Sequence, residues 1–478
     1  MKSIETDWLI VGSGAGGSTT FHNLALRGKN VLMIEEGQDL RTVKRPFEES
    51  ITDRTMKYYR NGGVTPVTGK NIFPFSEGRL LGGTTELNGA LFWRTPPEII
   101  HKWQEYYGLD NLNQENMQSA FIYLEEMLDV KDVDLDLNYN LPSQKLYEGA
   151  NKLGWKTVPA RRLAPRCIRL NECGSGCPNN SKNSMSQSLI PIGEKNGGQI
   201  RSNTKALKIY SSRGYVSHVI ASTPTGLLKI YCKNLILSGG PLQSPLLLKN
   251  SNLINRKRLQ IGFHLNTKIL VKFPEKVDAE KATIFTYQIQ EFMREGILIM
   301  ASNYKPEYVG MFLANKGREL FDDVIQNFSS YAIYTIQIRP ESYGKLFFTK
   351  NYVFPTFNLS AMDEDLLKRG LILACEALFA SGAVSIHLPT PNCKIENLSE
   401  VNSIIKKLDG GKIEISSVHA MSSVPMRKNP NWGQLDSNAK LAGTENVFVI
   451  DGSMLPSTIG ESPQGTIMAV AQLIASKL

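Results

Sequence analysis

The first 37 residues contain the feature that most constrains the fold. Two short apolar runs, residues 8–11 and 31–34, flank a glycine-rich loop and a segment, residues 18–26, with helical character. Apolar runs of this length are typical of buried parallel strands. The order strand, glycine loop, helix and strand is that of a dinucleotide-binding unit. The sequence therefore predicts an α/β fold in which a parallel sheet is built around this unit.

The glycine loop has the spacing G-x-G-x-x-G. In such a loop Gly12 permits the tight turn, Gly14 lets the backbone approach a pyrophosphate, and Gly17 lets the helix pack on the strand. The helix N-terminus offers free N–H groups to the phosphates. Glu35 ends the second strand, where a carboxylate binds ribose hydroxyls and repels the 2′-phosphate of NADP; Glu36 is the alternative acid. The motif predicts a dinucleotide site and leaves NAD and FAD both open.

A second glycine-rich segment, residues 76–94, reads SEGRLLGGTTELNGALFWR. Gly83, Thr84 and Asn88 belong to a loop whose N–H and hydroxyl groups suit a second approach to the pyrophosphate and the ring edge of a cofactor. A plain glycine turn before a helix is the alternative.

Two later segments repeat the alternation of strand and helix. Residues 234–253 predict a strand, a Gly-Gly turn and a helix from Gln243. Residues 447–450 predict a strand that is followed by Asp451, a loop and a helix opened by Pro463. Ser462, directly before this proline, is a good N-cap for the last helix.

Taken in order, these segments resemble the glucose–methanol–choline (GMC) family of flavoprotein oxidoreductases. GRLLGGTTELNG is similar to the first family signature, and GGPLQSPLLLKNSNL to the second, although Asn252 stands where a glycine is usual. The stretch VHAMSSVPM at 418–426 and the residues after it match the C-terminal block. The segment 270–405 shows little resemblance to the motifs of the family, as expected for its variable substrate domain.

The resemblance implies FAD as the cofactor. It places Gly12, Gly14, Gly17 and Glu35 on the ADP half. Thr84 and Asn88 would lie near the pyrophosphate and the isoalloxazine, and Asp451 near the ribityl or pyrophosphate part. The dipole of the last helix would stabilise the anion of the reduced flavin. Some members link the flavin to a histidine where this chain has Leu87, so the FAD is predicted to be bound non-covalently.

Oxidation of an alcohol by a flavin needs a base for the hydroxyl proton and a hydride transfer to flavin N5. Histidine suits the first step because its pKa lies near neutral pH. His419 follows the predicted strand KIEISSV, where the resembled family has its catalytic histidine, and is predicted to be the base. Ser462 stands where the family usually has histidine or asparagine. It is predicted either to hydrogen-bond the substrate oxygen or to act only as a helix cap.

Cys167, Cys173 and Cys177 lie within RCIRLNECGSGCPNN. Their spacing differs from that of bacterial ferredoxins, and a fourth ligand for zinc is missing nearby. A similar Cys-Gly-x-Gly-Cys-Pro stretch occurs in a GMC branch with sugar and long-chain alcohol dehydrogenases. A structural loop is favoured and no metal is predicted, while a redox-active disulfide, an iron–sulfur cluster and zinc stay open as alternatives. Lys182 is predicted to be a solvated lysine or, alternatively, to face an acidic substrate.

Charge and the N-terminus constrain location and partners. The chain has 54 Lys and Arg against 45 Asp and Glu, a net charge of +9, and no run of five basic residues. No basic motif with interleaved aromatic residues favours nucleic acid as a partner. No apolar stretch reaches the ~18 residues of a membrane span. The N-terminus has no signal-peptide pattern, so a cytoplasmic protein with reduced cysteines is expected.

These observations predict a two-domain flavoprotein. The FAD-binding domain is predicted to comprise residues 1–100, 160–260 and 410–478, and the substrate domain, with an antiparallel sheet, residues 101–159 and 261–409. The predicted activity is oxidation of a small alcohol such as a sugar or polyol, with oxygen, a quinone or a protein as electron acceptor. The alternatives are an FAD-binding member that does not oxidise alcohols, such as an electron carrier or a lyase-type protein, and an iron–sulfur electron-transfer subunit.

Overall fold

The computed structural model describes residues 1–43, 48–133, 140–254, 259–281, 283–431 and 434–478. The α-helices of this part of the chain are α1 Ala15–Leu26, α2 Ile51–Tyr58, α3 Pro97–Tyr107, α4 Gln114–Met127, α5 Leu141–Lys152, α6 Leu189–Lys195, α7 Gly240–Asn250, α8 Pro306–Leu313, α9 Arg318–Gln326, α10 Ala361–Ala380, α11 Val401–Lys406 and α12 Gln464–Ala475. The β-strands are β1 Lys2–Val11, β2 Val31–Ile34, β3 Thr65–Val67, β4 Phe73–Phe75, β5 Lys131–Asp132, β6 Thr157–Pro159, β7 Arg161–Arg162, β8 Gln199–Arg201, β9 Lys205–Ser212, β10 Tyr215–Thr223, β11 Gly226–Leu237, β12 Leu259–Lys272, β13 Tyr287–Ile289, β14 Ile297–Ala301, β15 Tyr331–Ile338, β16 Gly344–Phe348, β17 Val353–Thr356, β18 Ser385–His387, β19 Lys394–Ile395, β20 Ser416–Met421 and β21 Val447–Val449.

The first sheet is built around the N-terminal unit. Its seven strands have the order β8-β2-β1-β11-β10-β9, and β21 also pairs with β11. Strand β1 pairs in parallel with β2 and β11, and the pairs β2–β8 and β11–β21 are parallel as well. The predicted parallel sheet is confirmed. Strand β1 is longer than its apolar run because its first half also pairs with β11.

Two helices of this sheet begin earlier than the sequence predicts. Helix α1 starts at Ala15, directly after Gly14 and inside the glycine motif, instead of at Ser18. Helix α7 starts at Gly240 instead of Gln243, since Pro241 lies in its first turn, where a proline is favourable. Both helices therefore begin directly at the ends of the parallel strands β1 and β11.

The second sheet is mainly antiparallel and has twelve strands. Its main path is β3-β4-β20-β12-β15-β14-β13-β6. The long strand β12 pairs antiparallel with β15 and β20. The run predicted as a strand at 331–340 is β15, which is buried along its whole length. This sheet confirms the predicted antiparallel second layer.

The two sheets share one hydrophobic core. A single cluster of buried side chains contains Leu9 and Ile236 of the first sheet together with Ile261 and Ile336 of the second. The second sheet also takes strands β3, β4 and β20 from segments that the sequence analysis gave to the FAD-binding domain. The division into two domains stays a prediction. None of the helices described is both long and apolar enough to cross a membrane.

Candidate active site

One large cavity lies between the two sheets. Its volume is about 1260 Å³, and it extends from the glycine loop at Gly12 and Gly14 past Asn88 to His419 and Ser462. The structure thus brings together, around one space, segments from both ends and the middle of the chain.

The glycine loop closes the cavity at the end of β1. Gly12 has a φ of +101°, and a Cβ there would lie 2.3 Å from the carbonyl oxygen of Ser238. A Cβ on Gly17 would lie 2.1 Å from the carbonyl oxygen of Gly12. A Cβ on Gly14 would meet no atom within 4 Å. Packing therefore requires glycine at 12 and 17, while Gly14 leaves open space at the start of α1, as a phosphate-binding backbone needs.

Glu35 is buried beside this loop and lines the cavity. Its Oε2 accepts hydrogen bonds from the N–H (3.1 Å) and the hydroxyl (2.7 Å) of Ser13, and its Oε1 accepts one from the N–H of Gly37 (2.9 Å). Burial raises the pKa of Glu35, although these bonds oppose the shift. A carboxylate has about four acceptor positions, so one stays available for a ribose hydroxyl.

The second glycine loop packs on the first. The N–H of Gly82 donates to the hydroxyl of Ser13 (2.9 Å), and a Cβ on Gly83 would lie 3.0 Å from the Cα of Gly14. The hydroxyl of Thr84 accepts from the N–H of Gly78 at 2.9 Å. The backbones of the two loops therefore approach each other as closely as glycine allows.

Asn88 and Asp451 line the cavity and form hydrogen bonds to the N-terminal parts of two helices, α12 and α7. The amide of Asn88 donates to Gln464, the first residue of α12, at 2.5 Å. Asp451 is buried and accepts from the N–H of Gly240 (2.8 Å) and the hydroxyl of Ser244 (2.6 Å), both in the first half of α7. Burial raises the pKa of Asp451, although its hydrogen bonds oppose the shift. Both side chains line the cavity, and both also hold its walls together.

His419 lies within β20, not after it, and contacts a second histidine. His264 on β12 is its cross-strand partner, and their Nδ1 atoms are 3.3 Å apart. Burial lowers the pKa of His419 to about 4. Burial, and to a lesser degree a charge on His419, lowers the pKa of His264. Both imidazoles are therefore neutral at pH 7.

The hydrogen bonds of this pair decide where its protons lie. The backbone N–H of Gly460 donates to Nε2 of His264 at 2.9 Å, so this nitrogen carries no proton. Neutral His264 then has its proton on Nδ1 and donates to Nδ1 of His419. Neutral His419 must in turn carry its proton on Nε2. The arrangement gives His419 an N–H donor on its remaining nitrogen.

Ser462 does not cap the last helix. Helix α12 begins at Gln464, its N-cap is Pro463, and no side chain bonds to the free N–H groups there. The expectation of an N-cap serine is wrong because Pro463 itself occupies the cap position. Ser462 lines the same cavity as His419.

A buried carboxyl group that the sequence did not reveal, that of Glu461, also lines the cavity. Its oxygens accept from the amides of Gln288 (3.4 Å) and Gln290 (3.0 Å). Burial, without a cation beside it, raises the pKa of Glu461 to about 8. The acid is visible in IGESPQ, but its partners lie about 170 residues away, and His264 likewise lies 155 residues from His419.

The cysteine loop lies beside the cavity wall, and all six cysteines are unpaired. The Sγ of Cys173 accepts from Arg162 at 3.4 Å, and that of Cys177 from the N–H of Ser181 at 3.4 Å. Within the described ranges, no group of three or more His, Cys, Asp or Glu side chains could hold a metal ion.

Lys182 is neither solvated nor directed at a substrate. It is 3% exposed, and its Nζ donates to the carbonyl oxygens of Glu86 (2.5 Å), Asn88 (3.0 Å) and Cys173 (3.1 Å). Both expectations for Lys182 are wrong because these three carbonyl groups enclose the ammonium group. The lysine links the cysteine loop to the second glycine loop.

Comparison with known proteins identifies relatives of the whole chain. Family models described as GMC oxidoreductase match residues 55–269 and 351–471. An uncharacterised GMC-type oxidoreductase of Sinorhizobium fredii is 28% identical over 99% of this chain and 94% of its own length. A long-chain-alcohol oxidase of Arabidopsis thaliana is 26% identical over 99% of this chain and 67% of its own length.

Solved structures of two oxidases have the same fold. Pyridoxine 4-oxidase from "Mesorbium loti" superposes with a TM-score of 0.75 at 16% identity, covering 99% of both chains. A formate oxidase variant from Aspergillus oryzae, studied for FAD modification, has a TM-score of 0.78 at 14% identity and covers 99% of this chain and 98% of its own.

Proposed function

The chain belongs to the GMC oxidoreductase family, and from this premise we propose that it is an FAD-dependent enzyme that oxidises the alcohol group of a small molecule to a carbonyl. The observation that carries the proposal is the single cavity that joins the glycine loop at Gly14 to the side chain of His419. When bound there, FAD would accept the hydride from the carbinol carbon.

The cavity walls fit FAD. The open space at Gly14 and the close contact between Gly14 and Gly83 leave backbone N–H groups free of side-chain cover. Leu87, buried at the position where some relatives attach flavin through histidine, supports non-covalent binding. The residues that we propose hold FAD are Gly12, Gly14, Gly17 and Glu35 on the ADP half and Gly83, Thr84, Asn88 and Asp451 on the flavin half.

We assign His419 to the reacting oxygen of the substrate. Its Nε2–H is positioned to donate a hydrogen bond, which would stabilise the oxygen as negative charge develops during hydride loss. The base role inferred from the sequence requires an Nε2 without a proton. The bond from Gly460 to His264 disfavours that tautomer, and the donor role is therefore the better supported one.

The hydroxyl proton then needs another acceptor, and we propose Glu461. With a pKa of about 8, Glu461 is mostly protonated at pH 7, and its ionised form, which becomes more abundant as the pH approaches 8, is a base of suitable strength. It lines the same cavity as His419 and directly precedes Ser462. Ser462, whose hydroxyl is not used as a helix cap, would hydrogen-bond the substrate oxygen.

The test is anaerobic reduction of the bound flavin. The purified protein should be yellow, should release FAD on denaturation, and should lose its flavin absorbance with one class in a panel of sugars, polyols and long-chain alcohols. His419→Ala should retain FAD and slow the reduction about 10²–10³-fold, the cost of losing one donor to the developing negative charge. The matched control is His387→Ala, because His387 is a partly buried histidine of the second sheet that does not line the cavity.

Two results would contradict the proposal. Flavin that precipitates with the denatured protein would exclude non-covalent binding. A wild-type flavin that no alcohol reduces would favour an FAD-binding protein that does not oxidise alcohols, the alternative for which Ser462, in place of histidine or asparagine, is the supporting feature.

A further inference from the structure

The second sheet forms the cavity wall opposite the glycine loops. Four neighbouring strands place one residue each in a row across this wall: Lys268 pairs with Thr335, Thr335 with Met300, and Met300 with Gln288. All four side chains line the cavity. The row is neutral except for Lys268 at its end.

Lys268 has no counter-ion within the described part of the chain. No carboxylate lies within 4.0 Å of its Nζ, and burial alone, with no charged neighbour contributing, lowers its pKa. Lys268 is partly buried, and the fold gives acceptors to the fully buried lysines: Lys182 has three carbonyl oxygens, and Lys316 has the carboxylate of Glu414 at 2.6 Å. An ammonium group that is partly removed from water and has no partner carries a cost, and its place on a cavity wall indicates a ligand that supplies the missing charge.

We propose that Lys268 binds a carboxylate of the substrate, so that the enzyme oxidises a hydroxy acid whose hydroxyl and carboxylate lie at opposite ends. This inference rests on the proposed function. A carboxylate fits better than a phosphate dianion, because Lys268 is the only lysine or arginine that the described strands of the second sheet add to the cavity wall.

The strand geometry sets the span of the substrate. His264, which contacts His419, and Lys268 are four residues apart on β12 and share one face, so their Cα atoms are about 13 Å apart. The hydroxyl and the carboxylate should therefore be separated by a chain of medium length.

The carboxyl groups nearby do not repel such a ligand. Glu461 is mostly protonated at neutral pH because its pKa is about 8. Glu414, which also lines the cavity, is paired with Lys316. Near Lys268 the wall of the cavity therefore has a positive charge that the protein itself does not neutralise.

The test compares matched pairs of alcohols on the holoenzyme. The pairs are ω-hydroxyhexanoate, ω-hydroxyoctanoate and ω-hydroxydecanoate, each against the α,ω-diol of the same length. In the wild type, half-saturating concentrations for anaerobic flavin reduction should be about 10- to 100-fold lower for the best acid than for its diol, the range of a charge-assisted hydrogen bond. Lys268→Met should remove this preference, and Lys268→Arg should retain much of it.

Lys272→Met is the control for the loss of one positive charge. Lys272 lies on the same strand but pairs with Asp323 at 2.8 Å and does not line the cavity, so the preference should persist. A wild type with equal half-saturating concentrations for acid and diol, or a preference that survives in Lys268→Met, would overturn the inference.

Calorimetric titration with octanoate separates this inference from the proposed function. Octanoate has no hydroxyl group and needs no flavin chemistry to bind. Binding that is lost in Lys268→Met supports the carboxylate site even if no alcohol reduces the flavin. Octanoate binding that is equal in both proteins, or absent from the wild type, contradicts the site even if alcohols are oxidised.

Discussion

Glu461 is a carboxyl group that the fold keeps mostly protonated at neutral pH. It is 3% exposed, its hydrogen-bond donors are neutral amides, and its pKa is raised from 4.5 to about 8. The unfolded chain loses this proton near pH 4.5, whereas the folded chain retains it until about pH 8. Between these values the native state binds more protons than the unfolded state, so this group makes the protein less stable as pH rises.

Glu461→Gln should remove this pH dependence. The free energy of unfolding of the variant, relative to wild type, should rise by about 1.4 kcal/mol per pH unit between pH 5 and 8, then level off, and should show no such trend below about pH 4.5. Denaturant unfolding at a series of pH values measures the difference. Glu400→Gln, on an exposed surface, is the control and should give a flat difference. A flat difference for Glu461→Gln as well would mean that Glu461 is ionised in the native state.

The two histidines that meet in the site show what a sequence reveals and what it does not. His419 lies in a local pattern, VHAMSSVPM, that is recognisable along the chain. His264 has no such pattern, and it matters because strand pairing between β12 and β20 places it opposite His419. Lys268 and Glu461 likewise gain their importance from residues distant in the chain. Roles that depend on cross-strand neighbours could not be predicted from spacing alone.

At the scale of elements, the N-terminal unit was predictable because its signals are local. Glycine spacing and apolar runs fix the order of β1, α1 and β2, and the parallel sheet follows from them. Helix starts were predicted less well. Pro241 and Pro463 both lie at helix starts, but Pro241 is inside the first turn of α7 while Pro463 is the cap of α12. Proline is compatible with both positions, so the sequence does not separate them.

The start of α1 allows a test that separates cofactor binding from folding. Gly14 has a φ of −67°, which alanine adopts, and its missing Cβ would point into open space. Gly14→Ala should change the stability of the cofactor-free protein by no more than about 1 kcal/mol. It should reduce the amount of FAD that copurifies, because the methyl group would occupy the space proposed for the pyrophosphate.

Gly17→Ala is the contrasting variant. Its Cβ would lie 2.1 Å from the carbonyl oxygen of Gly12, so it should destabilise the cofactor-free protein by about 1–3 kcal/mol. Denaturant unfolding of the cofactor-free forms and flavin absorbance per chain measure the two properties. Full FAD content in Gly14→Ala would show that the pyrophosphate does not lie against this residue.

At the scale of the whole molecule, the proposed cofactor site lies where the two sheets meet. The sheets share one hydrophobic cluster, and the walls of the cavity come from both. A ligand that binds the folded chain stabilises it by an amount that rises with the logarithm of its free concentration divided by its Kd, about 2.7 kcal/mol when that ratio is 100. The stabilisation by ligands that fill different parts of the cavity should therefore show which walls each ligand contacts.

FAD, ADP and NADP fill different parts of this site. At equal free concentrations, FAD should raise the apparent midpoint of thermal unfolding of the cofactor-free protein most, because it would reach from Gly14 to the wall near His419. ADP should give a smaller increase, since it reaches only the first-sheet half. NADP should give the least, because the carboxylate of Glu35 disfavours a 2′-phosphate. Gly14→Ala should lower the increases in midpoint for both FAD and ADP.

Equal increases for FAD and ADP would mean that contacts between the flavin half and the second sheet add no stability. In that case the cavity near His419 and Lys268 would have to be assigned to another ligand.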